Sequence, residues 1–193
     1  MKAKIAAGIV IIISIISLVS LAAIYFSTYN KLVALKFTVD EKWAQVEQEL
    51  QRRYDLIPNI VSVARAYITY EGSILQNVTA LRSQWMSALK SGDMDIINNA
   101  TNQIELGIRG LIATFEAYPE LRSSEVIQSL MITLEGTENR ISTERMRFNE
   151  AVRDYNTAIQ SFPANLWAGS WGFTLKSYFK AQVGSAEVPQ VEF

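Results

Sequence analysis

The sequence predicts an all-α protein: a single N-terminal transmembrane helix continuous with an up-and-down antiparallel four-helix bundle. Three observations predict it. Residues 5–26 form an apolar run without a charge. Pro58 is the first proline and Gly8 the only glycine before it, so nothing breaks the helix that the run begins. Beyond the run, apolar residues recur every seven positions in blocks parted by turn signals, as in helices packed side by side.

A bilayer is crossed by ~20 apolar residues rising 1.5 Å each, and residues 5–26 meet that length behind a short tail, residues 1–4. Tyr25, Phe26 and Tyr29 stand at its C-terminal end, where amphipathic rings sit at headgroup level. A cleaved signal peptide is the alternative, with Ser20-Leu21-Ala22 as a loose cleavage site. It is disfavoured because signal cores run only ~7–15 apolar residues. Lysines flank both ends (Lys2 and Lys4; Lys31, Lys36 and Lys42), so the positive-inside rule does not orient the span. The short tail favours the amino terminus inside and the bundle exported, in a single-pass protein of the cell membrane.

Composition narrows the chemistry. Without Lys2 and Lys4 the chain has 16 basic residues against 19 acidic, a balance that argues against a nucleic-acid partner. There is no Cys, hence no disulfide framework, and no His, which removes the commonest general base and metal ligand together. A Ser-His-Asp or Cys-His triad is excluded.

The first bundle helix is expected over about 27–54. Leu32, Val39 and Val46 repeat in sevens, interleaved with Trp43, Leu50 and Ile57. Arg53 falls where the next seam residue belongs. A second helix is expected over about 58–90, with Ile60, Ala64, Tyr67, Ile74, Val78, Leu81 and Trp85 inward and Glu71 on the same row. Whether Pro58 opens that helix after a reversal or kinks a longer first helix stays open. Ser91-Gly92-Asp93 reads as a turn. The third helix, about 94–117, places Ile97, Ala100, Ile104, Leu111 and Phe115 inward, and should stop before Tyr118-Pro119. The fourth, about 123–161, carries Ile127, Leu134, Ile141, Phe148, Tyr155 and Phe162 at strict heptad positions. The bundle thus spans 27–163, and 164–193 form an aromatic tail whose end looks extended.

Several motifs in this order point to a family. They are Arg52-Arg53-Tyr54-Asp55-Leu56-Ile57-Pro58-Asn59, Tyr118-Pro119-Glu120-Leu121, and Leu134-Glu135-Gly136-Thr137-Glu138-Asn139-Arg140-Ile141 with Arg145. Tyr29-Asn30 with Leu32-Val33, Phe148-Asn149, Tyr155-Asn156, Phe162-Pro163 and the terminal Pro189 to Phe193 complete the set. Together they resemble the LemA family over nearly the whole chain. Tyr70-Glu71-Gly72, Trp167 and Trp171 depart from the family's usual residues. The resemblance implies a bacterial- or archaeal-type membrane protein with one N-terminal span and a bromodomain-like bundle. It implies no reaction; relatives take part in magnetosome membrane formation or accompany membrane proteases.

Two sets of residues stand out. Arg52, Arg53, Tyr54, Asp55 and Pro58 suggest an ionic clasp with Glu138 or Glu120, because a charge on an apolar stripe requires a partner. Glu71 and Arg145 lie on or beside the same seams. The competing reading makes this group a docking surface. Tyr25, Phe26, Tyr29, Trp167 and Trp171 form the second set, either touching lipid or capping the open end of the bundle.

The function expected is that of a membrane-anchored, non-catalytic scaffold without cofactor or metal. It would self-associate as a homo-oligomer or recruit membrane protein partners, such as a protease or an envelope protein, in membrane organisation. A sensor transmitting through the first helix is the alternative. A carboxylate-metal enzyme built on Glu71, Glu135, Glu138 and Glu144 is the least favoured, since bundle di-metal sites draw on Glu-x-x-His pairs.

Overall fold

The computed structural model describes residues 2–65, 72–118 and 124–180. It is all-α, and among the described residues there is no strand. Helix α1 runs Lys2–Tyr54, α2 Ile57–Ala64, α3 Gly72–Ser91, α4 Met94–Ala117 and α5 Glu125–Gln160, followed by a 3-10 turn at Ala164–Leu166. The chain divides into two compact units. One holds Met1–Glu41 and Glu150–Lys176, the other Lys42–Asn149 and Ser177–Phe193.

In the first unit, the leading part of α1 packs against the end of α5. Leu32 and Val39 are buried with Val152, Tyr155, Ile159, Ala164 and Ala168. The pairing is antiparallel: Asp40 lies near enough to act on the Tyr155 hydroxyl, and Tyr25, earlier on α1, meets Trp167 and Trp171 beyond the end of α5. Ahead of its Tyr25 and Tyr29 contacts the apolar run of α1 stays exposed among the described residues. Its most apolar window has a mean hydropathy of 2.8 and is 0% buried. Among the described residues this one helix is long and apolar enough to cross a membrane.

The second unit holds four rods. Trp43 faces Phe148, and ten residues further along α1 Arg53 faces Glu138, ten residues back on α5, so these two run antiparallel. Along α3 and α4, Trp85 meets Thr101 while Val78 and Leu81 flank Gly107, again antiparallel. A Cβ on Gly107 would lie 2.8 Å from Leu81 Cδ1, so glycine sets the close approach there. At Gly110, three residues further along α4, a Cβ would meet open space.

The sequence leaves the role of Pro58 open, and the structure makes it a kink. A helix running unbroken from Pro58 would carry Arg82 roughly 36 Å away from the end of α1. Instead Arg82 Nη2 is 2.6 Å from Asp55 Oδ1. Leu56, between the two, keeps right-handed helical backbone (φ −74°, ψ −24°), so α2 continues α1 through a kink. The single second helix expected over about 58–90 is two helices, Ile57–Ala64 and Gly72–Ser91, with residues 66–71 outside the described set. The break has a local cause: Pro58 has no N–H to give the Tyr54 carbonyl, and its ring crowds that oxygen. The ladder shortens to Leu56 N–H bonding Arg53 O at 3.3 Å, then resumes with Ile60 N–H on Leu56 O at 3.0 Å.

Two further positions refine the expected pattern. Phe162 lies past the end of α5 and is 80% exposed, whereas the preceding seam residues Ile127, Leu134, Ile141, Phe148 and Tyr155 are buried. Asp93 caps α4, accepting bonds from Asp95 N–H at 2.8 Å and Ile96 N–H at 3.3 Å, while Gly92 takes the left-handed φ of 67° that the turn needs.

Candidate functional site

The first site is built around Arg53. Seven residues beyond Val46, it points inward by helical periodicity and is only 5% exposed. Its guanidinium lies between two carboxylates: Nη2 is 3.1 Å from Glu105 Oε2 on α4, and Nη1 is 2.5 Å from Glu138 Oε2 on α5. Nη1 also donates to the Leu134 carbonyl at 3.2 Å, which takes a second bond from the Thr137 hydroxyl at 2.7 Å. Tyr54, the next residue on α1, donates its hydroxyl to Glu105 Oε1 at 2.8 Å. Its ring meets Trp85 edge-on at 4.7 Å, and Trp85 Nε1 donates to Thr101 Oγ1 at 3.1 Å. The polar chain thus touches α1, α3, α4 and α5.

Electrostatics follow from this burial. Glu105 is 2% exposed, and burial lifts its carboxyl above the ordinary value of 4.5 despite the Arg53 guanidinium and the Tyr54 hydroxyl, which pull it down. Glu138 adds repulsion. Burial, then the neighbouring Glu105 carboxylate, push the Tyr54 hydroxyl well above 10.0, so it stays protonated and donating. Such a cluster ties α1, α4 and α5 together through buried charge and hydrogen bonds. Among the described residues no group of three Asp, Glu, His or Cys could hold a metal ion.

The surrounding motif residues divide by face. The Tyr54 carbonyl left without a donor by Pro58 accepts from Arg82 Nε at 3.1 Å, and the same guanidinium pairs with Asp55. A cation at a helix C-terminus is favourable as well. Arg52 and Pro58 are exposed. Arg145 does not join the Arg53 pair; its guanidinium lies 4.6 Å from the Phe179 ring centre, a cation–π contact. Glu144 pairs with Arg147 at 2.6 Å, and Glu135 is exposed. Glu71 and Glu120 lie outside the described residues.

Asparagines form a second device. In the second unit Asn149 clasps Phe179 by both backbone groups, donating to its carbonyl at 2.9 Å and accepting its N–H at 2.8 Å. Asn98 bonds the Tyr178 carbonyl at 3.2 Å and the Lys180 N–H at 3.3 Å. In the first unit Asn156 holds Lys176 the same way, both bonds at 2.9 Å. A side-chain amide offers one donor and one acceptor, as a neighbouring strand would, so an extended segment is held without a sheet.

The aromatic set is brought together in the first unit. Tyr25 packs edge-on against Trp171 at 4.9 Å and Trp167 at 5.4 Å, and its hydroxyl accepts from Trp171 Nε1 at 2.8 Å. Tyr29 meets Trp171 at 5.3 Å and Phe173 at 5.8 Å. Phe26 touches only Tyr25 within this set and is largely exposed.

A family model described as the LemA family matches residues 42–193. The chain belongs to the LemA family. Magnetosome proteins MamQ 2 and MamQ 1 of Paramagnetospirillum magneticum are each 28% identical to it over 195 residues, covering 88% of this chain and 71% of theirs. Magnetosome protein MamQ of Magnetospirillum gryphiswaldense is 28% identical over 193 residues, covering 86% and 70%. The LemA resemblance thereby gains physical content in this chain. Arg53, Tyr54, Leu134, Thr137 and Glu138 build the clasp, and Asn149 and Asn156 hold the extended segment.

Sequence reasoning missed Glu105, Asn98, Thr101 and Arg82. A signal for the first two exists. Asn98 and Glu105 are seven apart and directly follow the inward Ile97 and Ile104, so they share the inward edge of α4.

Proposed function

We propose that this LemA-family protein is a membrane-anchored, non-catalytic helical scaffold that self-associates and recruits membrane protein partners. The observation that carries the reading is the division of α1. One helix, Lys2–Tyr54, begins as an apolar rod whose most apolar window is unburied among the described residues and ends as a core element carrying Arg53. An unburied apolar helix of this length finds its solvent in a bilayer. In the second unit buried Arg53, Tyr54 and Glu105 bond one another, which suits a support. The related proteins are named for a cell structure, the magnetosome, and not for a reaction.

The membrane is the cell membrane, crossed once, with the amino terminus inside and the helical units exported. Protease added to intact cells tests the side: cleavage of the bundle supports export, and protection reverses it. Extraction in mild detergent followed by mass measurement tests the scaffold, with multiple copies or a co-purifying membrane protein expected. A strictly monomeric chain without a partner overturns it.

A further inference from the structure

Within the first unit, α1 and the end of α5 enclose a groove of about 610 Å³. We propose that it binds the phosphate of an anionic phospholipid, with the acyl chains lying along the apolar part of α1. The inference rests on the membrane-anchored reading and adds a lipid site to it.

Depth is the first argument. The groove is lined on α1 by Ser27, Lys31 and Leu35, directly after the apolar run that ends at Phe26. At 1.5 Å per residue Lys31 stands about 7 Å beyond Phe26 along the helix, and the headgroup layer of one leaflet is itself about 5–8 Å deep. The Tyr25, Trp167 and Trp171 cluster belongs at that level too.

Charge is the second. Across the groove from Lys31 stand Arg153 and Asp154 of α5, whose ion pair is 3.3 Å long. That pair is neutral, and Lys31 has no carboxylate partner among the described residues, so the lining keeps one net positive charge. A headgroup with one net negative charge matches it, and the Ser27 and Thr157 hydroxyls can donate to phosphate oxygens.

The mouth is the third. Phe162, also in the lining, is 80% exposed, and Leu166 close by in sequence is 62% exposed. In water two such side chains gain nothing by standing outward. Beside a bilayer they meet acyl chains. Phosphate and acyl chain side by side is the pattern of a phospholipid, and not of a free anion or a purely apolar ligand.

The test uses the full chain in nanodiscs of phosphatidylcholine, with or without one fifth phosphatidylglycerol, and native mass spectrometry to count retained lipids. Phosphatidylglycerol should be enriched over phosphatidylcholine. The double variant Lys31→Gln/Arg153→Gln should lose that enrichment by ~5-fold for each charge removed. Phe162→Ser should lower retention of both lipids and leave the preference intact. Circular dichroism of each variant, expected unchanged, shows that the helices persist. Equal retention of the two lipids, or a double variant as selective as its parent, overturns the site. Displacement of phosphatidylglycerol by millimolar inorganic phosphate also overturns it, in favour of a free-anion site. Failure of anchoring reads differently: the chain would then not float with vesicles of either composition.

Discussion

The heptad seam of α1 and α5 runs through both units, and each unit contains one exception to it. In the second unit a charge, Arg53, occupies a seam position and is buried. In the first an aromatic, Phe162, occupies a seam position and is exposed. Both departures break the rule of apolar inside and polar outside, in opposite directions and for different reasons. Arg53 stays inside because Glu105, Glu138 and the Leu134 carbonyl replace the water it loses. Phe162 goes outside because α5 ends at Gln160, and the helical period no longer governs where its side chain points. A buried charge thus marks a place where the fold is held together. The exposed aromatic marks where the helix, and with it the seam, has ended.

The contrast can be broken at its strongest point. Arg53→Ala leaves Glu105 buried without its cation and should cost ~3–5 kcal/mol in denaturant unfolding of the detergent-solubilised chain. An unchanged midpoint, combined with loss of a captured partner, would restore the docking-surface reading of the motif. Phe148→Ala removes a buried seam ring and should cost a similar ~3–5 kcal/mol.

Asn149→Ala should be milder, about 1–2 kcal/mol, since it removes two hydrogen bonds to the Phe179 backbone. The selective readout is hydrogen exchange at the Phe179 amide, which should accelerate. If that amide exchanges no faster than before, the asparagine does not hold the segment.

Glu105→Gln sharpens the comparison through pH. The buried carboxyl keeps its proton to higher pH in the folded chain than in the unfolded one. In the window opening at the ordinary value of 4.5 and extending upward, the native state therefore binds more protons, and stability falls as pH rises. The glutamine variant lacks that contribution, so its stability should fall less steeply across the window. Equal slopes for parent and variant would show that Glu105 does not titrate there. Smallest of all, Phe162→Ser should move the unfolding midpoint by no more than ~0.5 kcal/mol, because almost nothing in the chain covers that ring. A loss as large as that of Phe148→Ala would place Phe162 in the core after all.

The sequence by itself indicated the all-α class, the seams of the first, third and fourth helices as far as Tyr155, the apolar run and the position of Arg53 on a seam. It could do so because period and composition are local properties of the chain. It did not determine what stands opposite each inward residue. The candidate carboxylate partners for Arg53 were Glu138 and Glu120; Glu105, on a helix that the sequence does not place against Arg53, shares the charge with Glu138. Pro58 signals a break in the helical ladder, but a break is compatible with reversal or with a kink. The right-handed helical backbone at Leu56 and the bond from Ile60 N–H to its carbonyl settle the matter as a kink. The asparagines look like ordinary solvated positions beside the seam until the extended segment lies along them. Periodicity gives the direction a side chain faces; only tertiary structure supplies its neighbour, because the partners of Arg53, Tyr54 and Asn149 lie 28 to 85 residues away in the chain.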